Sequence, residues 1–122
     1  MADSRLLIHP IRDVTVVTVN DSSVLDTLQV QQVGDELYNL VDNKAVRKMV
    51  LDFGKVQFLS SSALGVLITL RKKAEAIKAR IIICGMRPEL MKVFKITRLD
   101  KMFEFKDTEE QALSVFGVST AG

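Results

Sequence analysis

The chain has 122 residues, 48% of them hydrophobic, and its 17 basic and 15 acidic residues leave a net charge of only +2. This size and apolar content suit one compact domain with an ordinary core. The near balance of charge, the absence of Trp and the lack of aromatic residues between basic ones argue against a nucleic-acid-binding protein.

The sequence gives no indication of membrane insertion or export. No stretch approaches the roughly 20 uncharged apolar residues that span a bilayer, and the N-terminus lacks the pattern of a signal peptide. Cys84 is the only cysteine, so no disulfide can form within the chain. We therefore expect a cytoplasmic, single-domain protein over residues 1–122, with a core over residues 6–116 and a flexible tail over 117–122.

Two strands are predicted first. Leu6–Ile8 is a short apolar run stopped by Pro10, which predicts an edge strand because proline cannot donate to a central ladder. Ile11–Asn20 is rich in β-branched residues and predicts a second strand. A polar turn follows at Asp21–Ser23.

A helix is predicted next, with Asp26 as its N-cap and Gln29 three residues later, close to a capping box. Its buried side is indicated by apolar residues at steps of three and four, namely Val30, Val33, Leu37, Leu40 and Val41. Gly34 costs this helix about 1 kcal/mol relative to Ala and would permit close packing. Asp42–Asn43 marks the predicted end.

The second half alternates buried strands with helices. Met49–Phe53 and Arg80–Gly85 are nearly all apolar, as in strands covered on both faces. A helix between them, ending near Lys78, is indicated by apolar residues at helical spacing: Leu64, Leu67, Leu70, Ala74 and Ile77. Next come a short helix starting at Pro88, a brief strand over Met102–Phe105 and a last helix capped by Asp107 or Thr108. This alternation predicts an α/β domain with a mixed or mostly parallel sheet.

Most candidate catalytic sites can be set aside. His9 is the only histidine and the serines are not in a Gly-x-Ser-x-Gly elbow, which disfavours Ser-His catalysis. One His and one Cys cannot supply the usual zinc ligands. Gly54-Lys55 lacks the spacing of a phosphate-binding loop. We therefore expect no enzyme activity, no metal and no cofactor.

Three serines, Ser60, Ser61 and Ser62, remain at the junction between a buried strand and a helix. A serine hydroxyl is favoured there because it can accept a hydrogen bond from an unpaired amide of the first turn. The positive end of the helix dipole also tolerates an anion at this place. A serine here can therefore be a cap, a nucleophile or a phosphate acceptor, and a cap is the commonest of these.

The serine segment resembles a family signature. Phe-Leu-Ser-Ser-Ser-Ala-Leu-Gly-Val-Leu, starting at Phe58, is similar to the Phe-(apolar)-Asp-Ser-Ser/Thr-Gly-Leu-Gly-Val-Leu motif of STAS domains, above all of bacterial anti-sigma-factor antagonists. Similar segments at Val14–Asn20, Val50–Phe53 and Ile81–Phe103 extend the likeness to nearly the whole chain. The resemblance implies a STAS-like sheet of four or five strands flanked by about four helices.

In that family, a partner that is both serine kinase and anti-sigma factor phosphorylates the second Ser/Thr of the signature. Matched residue by residue, the acceptor is Ser62, with Ser61 and Ser60 less favoured. The family's Asp is Ser60 here, and its following Gly is Ala63.

The resemblance implies an anti-sigma-factor antagonist. Unmodified, it would bind the kinase and release a sigma factor; phosphorylation would add a charge near −2 and weaken docking. The expected docking residues are Asp21, Ser22, Ser23, Ser60, Ser61, Ser62, Ala63 and Leu64. A phosphatase is a further expected partner, and the domain is expected to be a monomer or weak dimer.

Two alternatives stay open. The first is a STAS scaffold in a larger signalling assembly that is never phosphorylated, favoured by the loss of the family's Asp at position 60. The second, weaker one is an enzyme with Ser62 as nucleophile.

Overall fold

The computed structural model describes residues 6–20, 23–24 and 27–118, without the side chains of 23–24 and 27–29. The strands in these ranges are β1 (Leu6–Ile11), β2 (Val14–Val19), β3 (Ser23–Val24), β4 (Lys48–Asp52), β5 (Phe58–Leu59), β6 (Arg80–Cys84) and β7 (Glu104–Lys106). The helices are α1 (Thr27–Asp42), α2 (Ser61–Ala76), α3 (Pro88–Ile96), a 3-10 turn (Leu99–Lys101) and α4 (Glu109–Val115).

Five strands form one sheet in the order β1-β2-β4-β6-β7. β1 is antiparallel to β2, and the other neighbours are parallel. The short strands β3 and β5 pair separately, in parallel. The predicted α/β architecture with a mostly parallel sheet and four flanking helices is confirmed. Because β2, β4, β6 and β7 point the same way, the segments that follow them meet at one edge of the sheet.

The alternating side chains of the strands divide the core into two layers. Val17, Met49 and Leu51 face the layer that contains α1 and α2. Val16 and Val50 face the smaller layer under α4. β4 is thus covered on both faces, which explains why its sequence is a continuous apolar run.

Helices α1 and α2 approach closely at Gly34. A Cβ there would lie 3.1 Å from Cγ2 of Val66, so the missing side chain permits this approach. Lys73 Nζ forms a salt bridge with Asp42 at 2.9 Å, near the C-terminal ends of the two helices. The predicted buried side of α1 is confirmed, since all five of its residues are buried: Val30, Val33, Leu37, Leu40 and Val41.

The structure corrects the first two predicted strands. β1 does not stop before Pro10 but runs through it to Ile11, which an edge strand allows because the free side of the proline needs no donor. The predicted strand from Ile11 is divided by a hairpin turn at Arg12–Asp13, with Arg12 at φ 56°. The edge position of β1 is confirmed.

Two further boundaries differ. Ser23 lies in β3 rather than in a turn, and the short strands β3 and β5 escaped prediction. The brief strand near the C-terminus starts at Glu104, after the 3-10 turn. Within the predicted tail, Val118 is buried and its N–H donates to Leu113 O at 3.0 Å. The predicted cap Asp26 and residues 119–122 lie outside the described residues. Within the described helices, none is long and apolar enough to cross a membrane.

Gly85 holds the end of β6 against the loop after β4. Its φ is +73°, and a Cβ would lie 2.9 Å from Gly54 N and 3.0 Å from Oδ1 of Asp52. Gly54 N itself donates to Asp52 Oδ1 at 2.8 Å, so the loop cannot move away without losing that bond. Both the backbone conformation and the space therefore require glycine.

We predict that Gly85→Ala lowers the free energy of unfolding by about 3 kcal/mol, because left-handed strain and a backbone clash add together. Gly117→Ala is the matched control: its φ is +78° but no atom lies within 4 Å of the added Cβ. For this control we expect the free energy of unfolding to fall by only about 1 kcal/mol. Urea unfolding measures both, and equal losses would show that the close approach to Gly54 is unimportant.

Candidate functional site

The loop between β4 and the serines is anchored by two apolar side chains. Phe53 and Val56 are both buried, and Val56 N donates to Phe53 O at 2.9 Å. Lys55 Nζ donates to Oδ1 of Asn20 at 2.9 Å, at the end of β2. β5 then pairs with β3, and Ser60 follows directly after β5. The position of the serines is therefore fixed by the sheet edge and by this anchored loop.

Ser60 is the N-cap of α2. Its backbone is extended, at φ −74° and ψ 166°, and its Oγ accepts a hydrogen bond from Ala63 N at 3.1 Å. Its carbonyl accepts the N–H of Leu64 at 3.1 Å. The helix consequently begins at Ser61. Of the three roles open to a serine here, capping falls to Ser60.

Ser61 and Ser62 form the first turn of α2, and both are exposed. Neither side chain has a hydrogen-bond partner in the described part of the chain. This first turn also contains no acidic side chain, so the positive end of the helix dipole is not balanced locally. The geometry offers two free hydroxyls at a place where an added anion would be stabilised.

The remaining predicted docking residues are placed unequally. Ala63 is buried at 7% exposure, so its side chain is not available to a partner. Leu64 is half-buried and packs partly against the core. Ser23 lies beside Phe58 in the β3–β5 pair, and only its backbone is described. Asp21 and Ser22 lie outside the described residues.

Phe58 was missed as a site residue. Its side chain is 59% exposed, only two residues before the helix cap. The sequence motif contains this phenylalanine, but periodicity cannot show that a two-residue strand turns it outward. Aromatic side chains are among the residues that contribute most to protein interfaces, so Phe58 extends the candidate surface beside Ser61 and Ser62.

The carboxyl groups of Asp52 and Glu109 lie together on the other side of the sheet, at the start of α4. Partial burial raises the pKa of Glu109, and the hydrogen bond and charge of Asp52 raise it further, whereas His9 opposes them. Burial, with the charges of Asp52 and Glu109, raises the pKa of Cys84 to about 12. Cys84 is therefore an unreactive buried residue, as interpreted from sequence. Among the described residues no group of three or more His, Cys, Asp or Glu is placed to hold a metal ion.

The family follows from a direct match. A model of the STAS domain matches residues 8–112. The chain belongs to the STAS domain family. The STAS domain described here is 28% identical over 93 residues to BtrV of Bordetella bronchiseptica, a protein assigned as an anti-sigma factor antagonist, across 76% of this chain and 79% of BtrV.

Solved structures show the same fold. The crystal structure of a protein of Thermotoga maritima, assigned as an anti-sigma factor antagonist, superimposes with a TM-score of 0.84 at 18% identity, over 93% of this chain and 95% of that one. The unphosphorylated anti-sigma factor antagonist SpoIIAA gives 0.71 at 24% identity, over 93% and 99%. Phosphorylated SpoIIAA of Bacillus also gives 0.71, at 23% identity over 91% and 98%. At these identities the likeness establishes the STAS fold.

Because Ser60 caps α2 and Ser62 does not, we predict that replacing each by Ala changes the free energy of unfolding differently. Ser60→Ala should lower the free energy of unfolding by about 1 kcal/mol, because the amide of Ala63 loses its acceptor. Ser62→Ala should change it by less than about 0.5 kcal/mol, since its hydroxyl is exposed and unbonded. Thr108→Ala is a matched control, because Thr108 Oγ1 caps α4 through Gln111 N at 3.1 Å. Urea titrations in which Ser62→Ala destabilised more than Ser60→Ala would refute the assignment.

Proposed function

We propose that this STAS domain is an anti-sigma-factor antagonist whose docking on a serine-kinase anti-sigma factor is switched by phosphorylation of Ser62. The observation that carries the proposal is the exposure of Ser61 and Ser62 at a helix start that another residue, Ser60, already caps. The similarity to BtrV, which is assigned as an anti-sigma factor antagonist, supports the class of partner.

Ser62 is the acceptor best supported among the three serines. The oxygen of Ser60 is engaged by the N–H of Ala63, and that side chain is half-buried. Ser61 is as exposed as Ser62, so exposure does not separate them. The family signature does, because the phosphorylated Ser/Thr of the motif falls on Ser62.

In this proposal the partner kinase supplies the catalytic groups and the ATP for phosphoryl transfer. The kinase binds ATP and magnesium, the Ser62 Oγ attacks the γ-phosphorus, and the bond from that phosphorus to ADP breaks. The hydroxyl proton passes to a base of the kinase. The domain contributes an accessible hydroxyl at a helix start that Ser60 caps.

The added phosphate acts on the docking surface rather than on the fold. Its charge near −2 lies at the first turn of α2, where free amides and the helix dipole stabilise it. The exposed Phe58 lies four residues before that charge in the chain, and the half-buried Leu64 lies two residues after it. A partner that covers this apolar surface would have to desolvate the phosphate, which is strongly unfavourable without a matching cation.

The test uses serine-kinase anti-sigma factors purified from the source organism, each incubated with this protein, ATP and magnesium. Intact mass should show one added phosphate on the wild type and on Ser61→Ala, and none on Ser62→Ala. Ser62→Asp should bind the unreacted kinase at least tenfold more weakly than the wild type in a calorimetric titration.

Thr69→Asp is the matched control, because Thr69 is an exposed residue of the same helix, about 10 Å along its axis from Ser62. It should bind as the wild type does. A kinase that binds tightly but adds no phosphate would favour the scaffold alternative, in which docking is not switched. Phosphate added to Ser62→Ala would contradict the assignment of the acceptor.

A further inference from the structure

A groove of about 450 Å³ lies at the edge of the sheet where β4 and β6 begin. Four basic residues line it, together with two apolar residues of the C-terminal helix region. These residues are Arg47, Lys48, Lys78, Arg80, Val115 and Phe116. The proposed switch at Ser62 uses none of them.

The basic residues converge because of the strand register. Lys48 and Arg80 are the first residues of two adjacent parallel strands and lie opposite each other. Arg47 and Lys78 belong to the segments that enter these strands, and Arg80 N donates to Arg47 O at 2.8 Å. Four positive charges that are scattered in sequence are therefore brought to one place by the fold.

Two of these charges are balanced and two are not. Lys48 Nζ lies 2.6 Å from Oδ2 of Asp13, and Arg80 binds both carboxylate oxygens of Glu104, at 2.5 and 2.6 Å. Arg47 and Lys78 are exposed and have no carboxylate partner within the described ranges. The groove thus has an excess of positive charge in a protein that is nearly neutral as a whole.

The apolar wall of the groove, formed by Val115 and Phe116, holds the Arg80 guanidinium in place. The Arg80 guanidinium lies over the ring of Phe116 at 5.7 Å from its centroid, and Glu104 holds it from another side. Val115 and Phe116 are half-buried and leave part of their apolar surface to the groove. This apolar surface beside the exposed cations Arg47 and Lys78 suits a ligand that combines carboxylates with an apolar side chain.

The groove lies at the N-terminal end of β4, and the serine surface lies beyond its C-terminal end. β4 runs from Lys48 at the groove to Asp52, just before the loop that leads to Ser60. Its five residues span roughly 16 Å. A ligand in the groove therefore need not touch Ser62, and both surfaces can be occupied together.

We propose that this groove binds an acidic segment of a protein partner, with carboxylates flanking an apolar side chain, independently of the state of Ser62. Charge complementarity with Arg47 and Lys78 supplies the attraction, and the wall at Phe116 supplies the apolar contact. A nucleic acid fits less well. The carboxylates of Asp13 and Glu104 would repel a run of phosphates, and Arg80 already covers a face of the only ring in the groove on which a base could stack.

The probe is a fluorescein-labelled peptide of twelve residues, all Glu except two central Leu, followed by fluorescence anisotropy at low and at physiological salt. The wild type and Ser62→Asp should bind it with equal affinity, which weakens as salt rises. The double variant Arg47→Glu/Lys78→Glu should lose at least tenfold in affinity. The matched control Lys92→Glu/Lys95→Glu makes the same charge change on exposed residues of α3 and should lose less than threefold.

Amide shifts of the labelled wild-type protein give an independent reading, with changes expected at Lys48, Lys78, Arg80 and Phe116. The proposal is overturned by any of four results: no binding at low salt, equal losses in the two double variants, equal binding of a peptide with Gln for Glu, or tighter binding of a twelve-nucleotide single-stranded DNA. None of these results depends on whether a kinase modifies Ser62.

Discussion

Parallel pairing of β4 with β2 and β6 is the constraint on which the rest of the structure depends. β4 is covered on both faces, so its register cannot slip without exposing apolar side chains such as Val50 and Leu51. That register fixes both ends of the strand at once. One end carries the anchored loop and the serines, and the other brings Lys48 beside Arg80. The two surfaces of the domain therefore follow from one packing arrangement.

After β5, Ser60 caps α2, which leaves the exposed hydroxyl of Ser62 available for the proposed modification. The Ser60 side chain accepts a hydrogen bond from an amide of the first turn, and the Ser62 side chain makes no hydrogen bond within the described residues. Chemistry at Ser62 can therefore proceed without removing an interaction that holds α2 in place. A single serine acting as both cap and acceptor would couple modification to helix fraying. In this STAS domain the cap and the proposed acceptor are two residues apart.

Elements whose residues are buried could be predicted from the sequence, whereas elements that depend on local backbone geometry could not. The apolar runs of β4 and β6 and the apolar stripe of α1 follow from periodicity, and the structure confirms them. The hairpin at Arg12–Asp13 carries no Gly or Asn, and strands of two residues have no period to detect, so both escaped prediction. Likewise, three consecutive serines look alike in sequence, and only the start of α2 assigns the cap to Ser60. The groove escaped because its residues converge through register alone.

The central claim is that a phosphate on Ser62 leaves the fold unchanged and alters only the surface around it. Phosphoserine incorporated biosynthetically at position 62 allows this to be measured without any kinase, by comparing amide NMR shifts of the modified and unmodified protein. The account predicts shift changes confined to Phe58 through Val66 and the adjoining β3. Widespread changes in β4 and β6, or loss of the Ser60 cap as seen at the amide of Ala63, would contradict it.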